Sequence, residues 1–141
     1  MTASEHRRVH WSFWVIGTVA LLWNLMGAIN FLVQLNPGTL EAYRESEQAI
    51  IADRPLWATA GFALAVFGGT IGAMLLLLRK SLAVPVFAAS FLGVVVAVAH
   101  SLSLGIGFGA GEVIGIVAMP LAVAGFLIWY ARHAQRNGWT T

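Results

Sequence analysis

The sequence predicts an all-α membrane protein: a bundle of four transmembrane helices with a short amphipathic helix in its first external loop. Three observations carry that prediction. Hydrophobic residues fill 59% of the 141 positions and charged residues only 10%, against about 25% charge in an ordinary soluble domain. The mean hydropathy of +0.80 matches the outer surface to lipid rather than to water. The apolar residues also gather in four runs, each able to cross about 30 Å of hydrocarbon at about 1.5 Å per residue. These runs are 13–35, 56–78, 82–104 and 113–130, within a single domain covering the whole chain.

The first span follows Arg7 and Arg8. Its length and the lack of an A-x-A cleavage site predict a retained helix rather than a signal peptide. Ala20, Trp23, Asn24, Gly27, Asn30, Phe31 and Gln34 project onto one side of it, and Leu22, Leu25, Met26, Ile29, Leu32 and Val33 onto the other. Three amides on one face need partners, because an unsatisfied polar group in hydrocarbon is costly. Asn24 is read as a helix-packing polar residue.

The loop 36–55 opens with Asn36, Pro37 and Gly38, a turn signal. Thr39 is placed to cap a short helix with Leu40, Tyr43, Ile50 and Ile51 roughly on one side, which predicts an amphipathic helix lying on the membrane surface. The loop is too small to hold a core of its own.

Small residues mark where membrane helices approach each other. The second span carries Gly61, Ala65, Gly69 and Ala73 at four-residue spacing, and the third carries Ala89, Gly93, Ala97 and Ser101. The fourth offers Gly111, Gly115, Ala118, Ala122 and Gly125, so all three spans are expected to pack through these stripes. Pro85 fits the first turn of the third span. Pro120 falls inside the fourth and leaves the Ile116 carbonyl without its donor, which predicts a kink.

Basic residues alternate along the chain. Arg7, Arg8, Arg79, Lys80, Arg132 and Arg136 flank one side of the bundle, and Arg44 and Arg54 the other, beside Glu41, Glu45, Glu47 and Asp53. The positive-inside rule then puts both termini in the cytoplasm, with the protein in a bacterial inner membrane.

His100 is the one histidine inside a span, on the side of Gly93 and Ala97. By depth, His100, Glu112, Asn30 and Gln34 all lie about 9 to 15 Å toward the outer face from their span midpoints. They are expected to line a shallow pocket with Trp57 or Thr59 at its rim, able to bind a polar solute or relay a proton. The alternative is structural: Glu112 complements the dipole at the start of the fourth helix, and His100 hydrogen-bonds an amide at a bundle end.

Several functions are excluded at this level. The chain has no cysteine, so disulfides, thiolate metal sites and thiol catalysis are ruled out. No metal site is expected, since three or four converging ligands are lacking. No haem or other cofactor is expected either, because His6, His10 and His133 lie on the opposite flank from His100. The glycines at 105, 107, 109 and 111 lack the strand of a nucleotide-binding fingerprint. The basic residues sit at membrane edges, so the partner is the bilayer and not nucleic acid. No catalytic constellation is present, and the chain is expected not to be an enzyme.

The strings at 22–27 (LWNLMG), 55–57 (PLW), Gly68, Gly69 and Gly72, then 75–80 (LLLLRK) with Ala83 resemble a family of small four-span bacterial inner-membrane proteins. That family often carries the label "sugar transporter", and the resemblance covers residues 14–93. It implies a small multi-pass membrane protein with no catalytic or binding residues to carry over. Two functions are therefore expected. The first is an accessory or assembly subunit packed against a larger membrane partner. The alternative is a transporter of small sugar-like or other polar solutes, acting as a homo-oligomer with the pocket toward the outer face.

Overall fold

The structure, a computed structural model, describes residues 8–52 and 54–141; His6, Arg7 and Asp53, used in the arguments above, lie outside the described residues. Among the described residues there are helices and turns and no strand. Four helical runs are long and apolar enough to cross a membrane, so the chain is a multi-pass membrane protein built as an all-α four-helix bundle.

Helix α1 spans Trp11–Gln34, and His10 caps it by accepting from the Ser12 backbone N–H at 3.2 Å. Its buried positions Phe13, Gly17, Ala20, Asn24, Ala28 and Phe31 recur at three- and four-residue steps, while Leu22, Leu25, Met26, Ile29, Leu32 and Val33 are exposed. After a 3-10 turn, Pro37–Ala42, helix α2 covers only Glu45–Ile51. Thr39 does not cap it. The Thr39 hydroxyl donates back to the carbonyls of Val33 and Asn36, both at 2.8 Å, and so holds the end of α1 instead. The loop therefore holds two short pieces, broken where Tyr43 is extended (φ −94°, ψ 157°).

Helix α3, Leu56–Leu77, starts directly after Pro55, whose fixed φ and missing N–H suit a helix entrance. Its stripe Gly61, Ala65, Gly69 and Ala73 is buried. Helix α4 covers Ala83–Ser103 with Pro85 in its first turn. A Cβ on Gly93 would sit 2.5 Å from the Ala65 nitrogen and 2.6 Å from the Gly61 carbonyl oxygen. The two backbones thus touch, which lets Ser90 donate across to the Ala65 carbonyl at 2.6 Å.

The fourth crossing is composite. Helix α5, Ala110–Val113, runs through a π-helical turn at Ile114–Ala118 into α6, Met119–Arg136. Pro120 cannot donate to Ile116, and the chain widens there instead: the Met119 N–H bonds the Ile114 carbonyl five residues back. The expected small-residue stripe does not survive this turn. Gly111, Gly115, Ala118 and Ala122 are exposed, and the buried positions are Ala124, Leu127, Tyr130, Ala131 and Ala134. The extra residue in the π turn rotates everything before it by about 100° relative to α6, so a periodicity counted through it loses phase. The crossing also continues six residues past position 130, carrying His133 and Arg136 in its last turn, where cations complement the helix dipole.

Neighbours in the bundle follow chain order. Helix α1 packs on α3, α3 on α4, and α4 on α6, whereas α1 and α6 do not pack along their lengths. At the end bearing the termini, Phe13, Leu76, Phe87, Leu127, Tyr130 and Ala134 form a closed core. Trp139 joins it, edge-on to both Phe13 and His133. Two helix ends meet here in the same motif. Arg79 (φ 60°) and Gly138 (φ 72°) hold left-handed backbone after α3 and α6, and each sends the following N–H back to the helix, Lys80 to Leu75 and Trp139 to Ala134. Arg79 bears a Cβ at this position, and its strain is offset by its own contacts: Nε donates to the Trp139 carbonyl at 2.8 Å, and its carbonyl accepts from the Thr141 N–H at 3.0 Å.

Candidate functional site

Three packed interfaces close three sides of the bundle, and the unpacked α1–α6 side leaves a cavity. Its volume is about 450 Å³, within the about 300–1,000 Å³ range of small-molecule sites. All four crossings line it, and Glu47, Ile50 and Ile51 of α2 roof its loop end. Helix α2 is thus a lid on the bundle. At the other end Phe87 and Leu127 form the floor, shared with the closed core.

The polar groups gather under the roof. The loop folds back on α1 because the α1 amides need partners: the Tyr43 hydroxyl donates to Asn30 Oδ1 at 2.5 Å, and Arg54 Nη2 donates to Gln34 Oε1 at 2.7 Å. The third amide, Asn24, is buried and donates to the Ala20 carbonyl of its own helix at 2.8 Å. Its carboxamide lies where a Cβ on Gly69 of α3 would be, so it packs against α3 while its hydrogen bond stays within α1.

Arg54 sits just before α3, half-buried, with its guanidinium carbon 4.9 Å from the centre of the Phe62 ring. Burial lowers its proton affinity below the ordinary arginine value, and the neighbouring Tyr43 works against that; arginine keeps its charge throughout. His100 is 4% exposed and lines the cavity. Its ring packs edge-on against Trp57 with centroids 5.5 Å apart, and no described residue hydrogen-bonds its imidazole.

Of the residues expected to converge, Asn30, Gln34 and His100 line this cavity. Trp57 is 55% exposed and touches the site only through His100. Thr59 turns its hydroxyl to the Pro55 carbonyl at 3.2 Å. Glu112 lines a separate, shallower depression with Arg44, Glu45, Ser46, Ala49 and Ile106, not the cavity. There it accepts from the Ser46 hydroxyl and ties α5 to the roof helix α2. Depth placed Glu112 level with His100, but depth does not fix the side of the bundle.

Two participants were not found by sequence reasoning. Arg54 was counted as a loop charge; the available signal was its place two residues before α3, with Phe62 two turns further on. In the sequence Ser90 is one small residue among many in the third span. Among the described residues no cluster of three or more histidine and carboxylate side chains converges as for a metal ion. The chain matches no family model, no curated protein and no solved structure.

Proposed function

We propose that this protein binds a small molecule between its four membrane helices and acts as a carrier for it. One observation supports the reading: a cavity of about 450 Å³ whose polar groups, Asn30, Gln34, Arg54 and His100, come from α1, the loop, and α4 and converge at one end. Polar side chains within membrane helices are costly, and a site that uses them is the ordinary reason to keep them. The proposal extends to a bacterial inner membrane with both termini cytoplasmic, on the charge of Arg79, Lys80, Arg132 and Arg136 against Arg44 and Arg54.

Docking to a larger membrane partner is favoured by a different observation. Only 11% of the fourth crossing's apolar stretch is buried, against 33% for α3 and α4. A subunit seated on a partner would use that face.

Gly115 provides the test, because it lines the cavity and a Cβ there meets nothing within 4 Å. Thermal shifts of the wild type and Gly115→Phe in lipid nanodiscs would be compared over a panel of polar solutes and amphiphiles. The expected result is a class of compound that raises the wild-type midpoint and leaves Gly115→Phe unmoved. Equal responses in the two proteins would remove the cavity as the site. Orientation is tested on a chain that has no cysteine of its own. Glu41→Cys is expected to react with an impermeant maleimide in intact cells, and Lys80→Cys only after the membrane is opened.

A further inference from the structure

The cavity is polarised along its length. Below Arg54 and His100 it is lined mainly by apolar side chains, among them Val66, Val94, Val98, Val123, Leu127 and Phe87, and α1 and α6, which line it, do not pack on each other along their lengths. A hydrophilic solute such as a sugar needs free hydrogen-bonding groups around it, and here the charged ones stand at one end, while Asn24 and Ser90 deeper in the cavity spend their donors on the Ala20 and Ala65 carbonyls. The shape suits a molecule with a polar head and an apolar body.

The cation at the head end is Arg54. Among the described residues lining the cavity, the ionisable side chains are Glu47, Arg54 and His100. Glu47 is already engaged by Arg44, with its Oε2 3.8 Å from Arg44 Nε and 3.3 Å from the Arg44 backbone nitrogen. Arg54 spends one N–H on a neutral amide, and a guanidinium has five. His100 is nine-tenths buried, lines the cavity and has its ring edge-on against Trp57.

We propose that the cavity takes a single-chain anionic amphiphile, with its carboxylate or phosphate head on Arg54 and His100 and its chain running down between α1 and α6. This rests on the carrier reading above and names its ligand class. Arginine suits such a head because its fork of N–H groups matches two anionic oxygens at once. Size points the same way: a cavity of about 450 Å³ is filled by one chain of moderate length.

The test is equilibrium binding of radiolabelled dodecanoate to the full chain in phosphatidylcholine nanodiscs, with empty nanodiscs subtracted. Saturable binding is expected, competed by dodecyl phosphate but not by dodecyltrimethylammonium or dodecanol. Arg54→Gln should weaken it about tenfold or more, and Arg54→Lys should restore part of the loss. Gln34→Glu guards against a folding defect, since it sets a carboxylate beside Arg54 and removes no buried group. It should weaken dodecanoate as strongly while the thermal midpoint holds.

Equal competition by the cation or the alcohol, or unchanged binding in both Arg54→Gln and Gln34→Glu, overturns the anionic head and leaves the cavity as a site. Displacement by phosphatidylglycerol mixed into the nanodisc overturns the single-chain occupant in favour of a bilayer lipid. If no chain-bearing probe binds while a polar solute still distinguishes wild type from Gly115→Phe, the amphiphile fails and the carrier reading stands. If nothing distinguishes those two proteins, the carrier reading itself has failed.

Discussion

The two ends of this bundle are built from the same four helices and solve opposite problems. At the end bearing the termini, large side chains fill the centre: Phe13, Leu76 and Phe87 are fully buried, and Trp139 folds back to cover them. At the loop end Tyr43 and Arg54 tie the loop to Asn30 and Gln34 of α1, and a cavity is left where a core would be. The difference teaches where stability and function are separated. Lipid gives no hydrophobic drive for helix association, so close packing must hold the bundle. That packing is concentrated at one end and along the α3–α4 seam. The other end is then free to keep polar groups and empty space.

Substitutions can break this division or sharpen it. The largest effect is expected from Phe13→Ala, which empties the closed core and should cost about 3–5 kcal/mol of unfolding free energy in detergent. Ligand binding measured below the new midpoint should be unchanged, and a lost cavity would show that the two ends are not separable. Gly93→Ala comes next, at about 1–3 kcal/mol, because its Cβ meets backbone and not a flexible side chain. The same assay reads it, and a neutral result would mean that α3 and α4 have room to part.

Smaller effects belong to the polar contacts. Ser90→Ala removes the bond to the Ala65 carbonyl and should cost about 1 kcal/mol. Tyr43→Phe should lower global stability by less than about 1 kcal/mol, yet it should speed hydrogen exchange across residues 36–52 only. Exchange that rises equally at the termini would join the two ends into one cooperative unit.

Much of the architecture was legible in the sequence, and the reason is averaging. Each span sums some twenty residues, so three of the four boundaries match within two positions at each end. The fourth extends past residue 130 because Arg132, His133 and Arg136 end the apolar run without ending the helix. Individual contacts have no such averaging. The small residues of α3 pointed to a buried face because that helix is uninterrupted, while those of the fourth crossing were counted straight through a π turn that hydropathy does not register. Glu112 was grouped with His100 by height alone, and a bundle has several sides at one height. Arg54 was tallied as a charge, when its contacts with Gln34 and Phe62 are what bring it to the cavity.

The π turn at Ile114–Ala118 also couples two parts of the molecule. Above it, Glu112 is tied to the lid helix through Ser46; below it, Val123 and Leu127 line the cavity. Because the turn holds one residue more than an α-helix requires, the segment above it faces about 100° away from where an uninterrupted helix would turn it. The fourth crossing is therefore cut like a key with two bits: the quarter turn built in above Pro120 points Glu112 at the lid, while the straight helix below keeps Val123 and Leu127 on the cavity.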